Sequence, residues 1–469
     1  MNECVACSYR QRIFNLDIPM TTAYELEIES LDIEGRGVGH YDGKVVFVDG
    51  VLPGERALVE NVRSKSSYDK ARVVQLLTQS PQRQTPPCPS FGVCGGCAMQ
   101  HLEPAAQVAV KQRVLEDALN HIGGVKAESY LAPMHGPYWH YRHRARLSVR
   151  NVMKKGTALV GFREKGSHYV VDMADCHILP PQVSALLLPL RELISGMSIP
   201  HRIPQIEVSV GEDCLSLALR HIEPLQDSDI QKLRDFAKRY NVSWWLQPKG
   251  PETMHPLERE DEDSLYYDLP DYDLHMPFKP IDFTQVNPSI NRSLIRLALN
   301  LLQIKQGERV ADLFCGLGNF SLPLARVASS VVGIEGSSTL TKRAGEAAAL
   351  HGLQDKASFT TLNLFEVDVS WLRQLGYFDR ILIDPPRDGA QAVAQALSEL
   401  SEHEKPKRIV YVSCNPATLA RDAGILLKEG GYRLLNAGVL NMFPHTAHVE
   451  SIAVFEPVSA GAVQSTVEA

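Results

Sequence analysis

Two early runs of the chain alternate hydrophobic and polar positions with a period of two, which is the pattern of half-buried β-strands. They span Tyr24–Ile28 and Lys44–Val48, and glycine-rich turn signals such as Gly35–Gly39 separate them. Short strands at this spacing predict a small, OB-like β-barrel domain over residues 22–80. A basic edge follows that suits either a solvated face or RNA docking, formed by Arg63, Lys65, Lys70 and Arg72.

A different periodicity begins near residue 281. Asn287 and Pro288 predict the N-cap and first turn of a helix, with an apolar stripe running from Ile290 to Leu301. Strands are predicted at Arg309–Phe314, Val331–Ile334, Arg380–Ile383, Arg408–Val412 and Val449–Phe455. Helical stretches between most of them predict an α/β fold over residues 281–469, with a Rossmann-like, largely parallel sheet. Such a sheet binds its ligand at the carboxyl ends of its strands.

Residues 81–280 are predicted to form a central domain. It contains a basic and aromatic run, Tyr138–Arg146, in which Arg142, Arg144 and Arg146 share one face if the run is extended. Such a face is either an edge protected by charge or a surface that contacts the RNA backbone. We favour RNA, because the aromatic residues of the run, Tyr138, Trp139 and Tyr141, can stack on bases. The segment from Pro251 to Asp273 is predicted to be a loop.

Composition narrows the class of protein. The chain has 469 residues, 44% of them hydrophobic and 22% charged, which describes a folded globular protein. Its net charge of -7 argues against a generally basic nucleic-acid coat but leaves room for local basic faces. No apolar stretch reaches the ~20 residues that span a bilayer, and the N-terminal extension, residues 1–21, lacks a secretory signal. We therefore expect a cytoplasmic protein.

A glycine loop follows the first predicted strand of the α/β region. Gly316 and Gly318 let the backbone approach a ligand closely, but a third glycine is replaced by Ser321 and no phosphate-binding lysine follows. Glu335 closes the second strand, where a carboxylate can accept both ribose hydroxyls of an adenosine. Together these features favour S-adenosylmethionine over a nicotinamide dinucleotide.

Two further loops at strand ends carry candidate chemistry, at Asp384 and at Cys414. Cysteines are commonly buried as small hydrophobic residues. Here the polar neighbours of Cys414 and a predicted helix start near Pro416 indicate a reactive thiolate with a lowered pKa. A thiolate beside a methyl donor suits uracil, whose C5 becomes nucleophilic once sulfur adds to C6. Glu450 is the predicted base that removes the C5 proton, with His445 and His448 as alternatives.

The chain has nine cysteines, and three of them lie close together. Cys88, Cys94 and Cys97 have the spacing C-x5-C-x2-C, with Gly95 and Gly96 allowing a sharp turn. In a large intracellular chain such a cluster indicates metal binding or catalysis. The spacing by itself is compatible with zinc and with a [4Fe-4S] cluster.

The chain resembles the RNA uracil-5-methyltransferases over about residues 22–457. The motifs that carry the resemblance are F-T-Q-V-N at 283–287, D-L-F-C-G-L-G-N-F at 312–320, D-P-P-R at 384–387, S-C-N-P at 413–416 and F-P-H-T-x-H-V-E ending at Glu450. The N-terminal barrel resembles a TRAM domain, an RNA-binding module. The run C-P-S-F-G-V-C-G-G-C-A-M-Q-H at 88–101 resembles the iron–sulfur motif of the branch that acts on 23S rRNA.

The resemblance implies roles for individual residues. Cys414 is implied as the nucleophile and Glu450 as the base. The implied S-adenosylmethionine contacts are Gln285, Phe314, Asn319, Glu335, Asn363 and Asp384. Cys176 is implied as the fourth ligand, beside Cys88, Cys94 and Cys97, of a [4Fe-4S] cluster. The implied substrate is the uridine at position 1939 of 23S rRNA, and we expect a monomer.

Two other functions remain open. An amino-methyltransferase acting on adenine or glutamine also uses an Asp-Pro-Pro segment beside the methyl donor, but it needs no cysteine. An RNA-binding or ribosome-assembly factor with an inert methyltransferase domain needs neither Cys414 nor Glu450. Replacing Cys414 distinguishes the first alternative, and binding of S-adenosylmethionine distinguishes the second.

Overall fold

The computed structural model describes residues 23–262 and 265–458. The chain divides into two compact units, the first ending at Arg83 and the second beginning at Gln84. Cys4 and Cys7 of the N-terminal extension lie outside the described residues. None of the helices in the described ranges has the length and apolar character needed to cross a membrane.

The first unit is one six-stranded sheet. Its strands are β1 (Tyr24–Glu27), β2 (Ser30–Leu31), β3 (Gly37–Tyr41), β4 (Lys44–Val48), β5 (Arg56–Ser64) and β6 (Tyr68–Leu76), in the order β1-β5-β6-β4-β3-β2. Alternate positions face one core, which includes Leu26, Val46 and Val59. A Cβ on Gly39 of β3 would lie 2.3 Å from the carbonyl oxygen of Glu27 in β1. Strands far apart in the sheet order therefore touch, so the sheet curls as a barrel does.

The second unit contains two main sheets. Its first half comprises α1 (Pro104–Ala118), β7 (Ser129–Tyr130), β8 (Arg144–Val152), β9 (Thr157–Gly161), α2 (Pro181–Ser184), α3 (Leu187–Ser195), β10 (Gln205–Val210), β11 (Leu215–Arg220), α4 (Asp227–Tyr240), β12 (Ser243–Gln247), β13 (His255–Pro256), β14 (Tyr266–Leu269), β15 (Leu274–Pro277) and α5 (Pro288–Leu302). Six of these strands form the central sheet, in the order β13-β12-β11-β10-β8-β9. Strands β14 and β15 form a separate antiparallel pair.

The second half alternates strands and helices. It comprises β16 (Arg309–Leu313), α6 (Ser321–Val327), β17 (Ser330–Glu335), α7 (Ser338–Leu350), β18 (Ala357–Thr361), α8 (Val369–Leu375), β19 (Arg380–Ile383), α9 (Gln391–Ser398), β20 (Arg408–Ser413), α10 (Pro416–Lys428), β21 (Tyr432–Leu440) and β22 (Glu450–Pro457). The sheet order is β18-β17-β16-β19-β20-β22-β21-β7, parallel from β18 to β20 and antiparallel at β22. This confirms the predicted largely parallel α/β sheet.

Two parts of the chain fold differently from the sequence prediction or add to it. The segment predicted as a loop, Pro251 to Asp273, contains β13 and β14, and β14 pairs with β15. Helix α1 packs in the hydrophobic core of the eight-stranded sheet, and β7 pairs with β21 at the sheet's edge. The parallel sheet therefore draws on chain from before residue 140, which local periodicity did not indicate.

Candidate functional site

One cavity of about 560 Å³ lies at the carboxyl ends of the parallel strands β16, β17, β19 and β20. It brings together all eight residues proposed for catalysis and cofactor binding: Gln285, Phe314, Asn319, Glu335, Asn363, Asp384, Cys414 and Glu450. Its volume is that of a typical small-molecule pocket. The loops converge because parallel strands end at the same edge of their sheet.

The glycine loop after β16 requires backbone that side chains rarely adopt. Phe314, Gly316 and Gly318 have φ values of +65°, +54° and +86°. Glu335, at the end of β17, accepts hydrogen bonds from the backbone N–H of Gly316 at 3.3 Å and of Ser337 at 3.0 Å. The carboxylate is therefore fixed between the loop and the start of α7, at the wall of the cavity.

Asn319 is held by residues from outside the loop. Its Oδ1 accepts from the hydroxyl of Tyr267 and from Nδ2 of Asn291, each at 3.0 Å, and its own Nδ2 donates to Oδ1 of Asn291 at 3.0 Å. Tyr267 also lines the cavity, and sequence reasoning missed it because β14 was taken as loop. Nothing in its local sequence marks it, since its position depends on the pairing of β14 with β15.

The register of the antiparallel pair β20–β22 places the nucleophile candidate beside the base candidate. Ser413 pairs with Ser451, so Cys414, the next residue after β20, lies level with Glu450, the first residue of β22. Cys414 is half-buried, whereas Glu450 is 3% exposed. A thiol that a substrate can reach therefore adjoins a carboxyl group that solvent cannot.

The ionisation of this pair differs from the prediction. Burial and the carboxyl groups of Glu450 and Asp384 raise the pKa of Cys414 to about 11, against a smaller opposing effect of Arg387. The predicted lowering of the Cys414 pKa is therefore wrong for the free protein, where burial and the two carboxyl groups favour the protonated thiol. Burial raises the pKa of Asp384 to about 7, and burial together with Asp384 raises the pKa of Glu450 well above the usual range.

Hydrogen bonds tie the two catalytic loops together. Asn415 caps α10 by accepting from the N–H of Ala417 at 3.1 Å, and its Nδ2 donates to the carbonyl of Arg387 at 3.0 Å. Nη2 of Arg387 lies 3.3 Å from Nδ1 of His448. Burial and the charge of Arg387 lower the pKa of His448 to about 4. His448 lines the cavity as a neutral ring, whereas His445 is absent from its walls.

The basic and aromatic run is largely used in packing. Strand β8 begins at Arg144, so Arg142 lies outside it and the condition for one shared face, an extended run, holds only from Arg144 onward. Arg144 donates to the carbonyl of Pro280 at 2.7 Å, and Arg146 pairs with Glu207 at 3.0 Å. Trp139 stacks on His445 with ring centroids 3.8 Å apart, and buried Tyr141 donates to the carbonyl of Pro444 at 2.8 Å. Trp139 and Tyr141 therefore contact the loop that contains Pro444 and His445.

The four predicted cluster ligands line a second cavity. Cys88, Cys94, Cys97 and Cys176 share it with apolar walls that include Phe162 and Met173, and all four are free thiols. Burial and the neighbouring thiols raise the pKa of Cys97 to about 12. Within residues 23–262 and 265–458, no three His, Cys, Asp or Glu side chains are arranged to hold a metal ion.

A Rossmann-like sheet with this glycine loop and acidic strand end defines a methyltransferase of the S-adenosylmethionine-dependent class. Residues 103–457 match the family model described as tRNA (Uracil-5-)-methyltransferase, and residues 22–74 match the TRAM domain. The chain belongs to the tRNA (uracil-5-)-methyltransferase family.

Similar proteins agree with this assignment. A Bordetella avium protein named 23S rRNA (uracil(1939)-C(5))-methyltransferase RlmD is 64% identical over 92% of this chain and 91% of its own length. A Burkholderia lata protein of the same name is 55% identical over 97% of this chain and 100% of its own. The Pyrococcus abyssi tRNA (uracil-54, C5)-methyltransferase, solved with S-adenosyl-L-homocysteine, matches with a TM-score of 0.68 and 25% identity over 92% of this chain and 100% of its own.

Proposed function

We propose that this protein methylates C5 of a uridine in 23S rRNA, at position 1939, with S-adenosylmethionine as the methyl donor. The observation that carries the proposal is the pairing of Cys414 with Glu450 at one edge of a cavity that also contains the cofactor residues. Methyl transfer to a nitrogen requires neither a thiol nor a second buried acid. The names of relatives 55–64% identical to this chain support 23S rRNA as the substrate.

The residues present fit S-adenosylmethionine. Glu335 offers a fixed carboxylate to the ribose hydroxyls, and Phe314, Leu340 and Phe365 give apolar walls for the adenine. The Gly316 loop brings backbone to the cavity without the third glycine or lysine that phosphates require. Gln285, Asn319, Asn363 and Asp384 supply the remaining polar groups. The bound cofactor supplies an electrophilic methyl group.

Cys414 and Glu450 divide the chemistry between them. The thiol proton of Cys414 passes to solvent, its sulfur bonds to C6 of uracil as the C5–C6 double bond opens, and C5 becomes nucleophilic. C5 would then take the methyl group that the bound cofactor supplies, leaving the demethylated cofactor as the second product. Glu450 then removes the C5 proton, the C5–C6 double bond re-forms and the sulfur–C6 bond breaks. Its raised pKa suits a carboxylate that must take a proton from carbon near neutral pH. Asp384, whose carboxyl group raises the pKa of both Cys414 and Glu450, would contact the uracil after it has left its base stack.

RNA docking is assigned to the TRAM domain. A TRAM module with exposed cations such as Lys65 suits backbone contact. We propose domain boundaries at residues 22, 81 and 281, which separate the TRAM domain, the central domain and the methyltransferase domain. A monomer suffices for the proposed reaction, because one chain supplies every residue of the cavity.

We propose further that Cys88, Cys94, Cys97 and Cys176 hold a [4Fe-4S] cluster. Four reduced cysteines facing one largely apolar cavity support this, and so does the motif resemblance. The role of the cluster would be structural, since methyl transfer moves no electrons.

The test of the function follows tritium release from transcripts labelled at C5 of uridine. With S-adenosylmethionine, the wild type and Cys214→Ala should release tritium from 23S rRNA, because Cys214 lies outside the cavity. Cys414→Ala should release none. Methylation of the RNA without tritium release would refute C5 chemistry. Release from a tRNA transcript but not from 23S rRNA would move the substrate to tRNA.

The test of the cluster uses protein purified without oxygen. We expect about four irons and four sulfides per chain with broad visible absorption in the wild type and in Cys214→Ala, and loss of both in Cys94→Ala. Stoichiometric zinc without sulfide would replace the iron–sulfur proposal with a zinc site. Methyl transfer is measured in a separate assay, so a negative result for the cluster leaves the proposed methyl transfer untouched, and the reverse also holds.

A further inference from the structure

The nine residues 441–449, here called the base loop, connect β21 to β22 and end directly before Glu450. Two of its side chains, Phe443 and His448, line the catalytic cavity. The loop therefore determines the backbone direction at Glu450. It also forms part of the cavity wall against which the uracil must lie. Contacts that fix this loop therefore help to fix Glu450, in addition to its pairing with Leu440 of β21.

Helix α1 inserts a buried lysine under the base loop. Nζ of Lys111 donates to Oδ1 of Asn441 and to the carbonyl of Phe443, both at 2.8 Å. Lys111 is 1% exposed and forms no ion pair with any described residue. Burial among neutral partners lowers the pKa of Lys111 to about 7, and an apolar side chain would pack there at lower cost. What the lysine adds is a fixed geometry at two points of the loop.

One turn earlier on the same helix, Gln107 holds the middle of the loop. Its Oε1 accepts from the backbone N–H of His445 at 2.8 Å, and its Nε2 lies 3.1 Å from Nδ1 of the same residue. His445 is fully buried and has a φ of +64°, a conformation that side chains adopt only when the surroundings impose it. The N–H groups of Ala98 and Met99 donate to its carbonyl at 2.8 and 2.9 Å.

The far end of α1 rests on the helix that follows the nucleophile. The chain leaves α1 through Gly123, where a Cβ would lie 2.5 Å from the carbonyl oxygen of Ala420 in α10. Helix α10 begins two residues after Cys414. Helix α1 and the turn that follows it thus contact α10 after the nucleophile at one end and the loop before the base at the other.

We infer that Gln107 and Lys111 are positioning residues for Glu450, which they hold in register with Cys414 through the base loop. The inference rests on the proposed function, because it assigns Glu450 the removal of the C5 proton. That step comes last, after sulfur has added and the methyl group has moved. A displaced base should therefore slow release of the product from Cys414 more than formation of the covalent adduct.

The experiment compares Gln107→Met and Lys111→Met with two controls at more exposed positions of α1. Gln112→Met removes a glutamine, as Gln107→Met does, and Arg113→Met removes a basic side chain, as Lys111→Met does. Tritium release should fall about 10- to 100-fold in the first pair and stay at the wild-type rate in the second. RNA–protein adduct stable to denaturant should accumulate in the first pair, while the affinity for S-adenosylmethionine remains unchanged.

A double-mutant cycle keeps the inference testable if Lys111→Met weakens folding. Asn441→Leu removes the acceptor of the same bond, so the double variant should be little slower than either single variant. Wild-type release by the first pair, or equal losses of release and adduct formation, would overturn the inference. A Glu450→Gln control that traps no adduct would instead count against the proposed function.

Discussion

The two sheets of the second unit use their polar and aromatic residues in opposite ways. In the eight-stranded sheet, Glu335, Asp384 and Cys414 stand at or just after strand ends and line the cavity. In the central sheet, Arg146 is paired with Glu207, and before its first strand Tyr141 is bonded to the base loop. Residues that look equally reactive in sequence are thus exposed to a ligand in one region and engaged by the protein in the other.

The difference follows from chain geometry. A parallel sheet cannot pair the residues that follow its strands with a hairpin partner, so those side chains converge on open space at one edge. The central sheet joins β8, β9, β10 and β11 as antiparallel neighbours, whose side chains meet across strands. In the parallel sheet, the position of a residue at a strand end is enough to predict that it contacts a ligand. In the central sheet, the role of a residue depends on which side chains it contacts across the strands.

The largest effect should come from Glu450→Gln, at the catalytic edge. An amide cannot accept the C5 proton, so tritium release should fall by about 10³-fold or more, and methylated RNA should remain bound to Cys414. A denaturing gel with labelled RNA and a tritium assay measure the two effects. Glu456→Gln on the same strand is the control, because Glu456 pairs with Arg408 outside the cavity and its loss should leave both readouts unchanged.

Next in size is the loss of cofactor affinity in Glu335→Gln. A charge-assisted hydrogen bond to a hydroxyl contributes roughly 1.5–3 kcal/mol, so the dissociation constant of S-adenosylmethionine should rise about 10- to 100-fold. Titration calorimetry measures it, with Glu346→Gln on the exposed side of α7 as the control. Unchanged affinity in Glu335→Gln would remove this carboxylate from the cofactor site.

Smaller effects are expected on the free energy of unfolding, where removing a buried carboxyl group should have opposite signs at the cavity and in α4. The folded pKa of Asp384, about 7, lies above its unfolded value near 3.8, so the folded state retains a proton that the unfolded state has lost. Its contribution to stability therefore falls as pH rises from about 4 to 7 and is flat above. Asp384→Asn should stabilise the protein by about 1–2 kcal/mol at pH 8 and by little at pH 4.

Asp229 in α4 provides the opposite case. Burial opposes its ionisation, but hydrogen bonds from Ser198 and Gln226 outweigh it and lower its pKa. Its carboxylate stabilises the fold above the unfolded pKa, and that contribution is lost as pH falls through the folded value. Asp229→Asn should therefore be destabilising at pH 8. Urea unfolding at both pH values measures both variants, and a shared sign at pH 8 would contradict this contrast.

The sequence predicted the α/β region well because its signals are local. The cap at Asn287, the glycine loop at Gly316 and the strand end at Glu335 each lie within a few residues of the features that define them. Tyr267, Gln107 and Lys111 carry no such mark, since their partners Asn319, His445 and Asn441 are 52 to 338 residues away. The pKa of Cys414 was missed for the same reason: the carboxyl groups that raise it come from other strands.

The smallest effect, Tyr141→Phe, separates the two possible uses of the aromatic run. The change removes only the hydroxyl that donates to Pro444, leaving a buried carbonyl without that donor beside the strained residue His445. Turnover should fall about 3- to 10-fold with an unchanged KM for RNA, because the hydroxyl steadies the base loop and touches no base. Steady-state kinetics with 23S rRNA measure both constants, and Tyr169→Phe, at an exposed tyrosine outside the cavity, is the matched control. A raised KM with unchanged turnover would instead show that Tyr141 contacts RNA, as its sequence neighbours suggested. The central sheet would then present side chains to a ligand, as the strand ends of the eight-stranded sheet do.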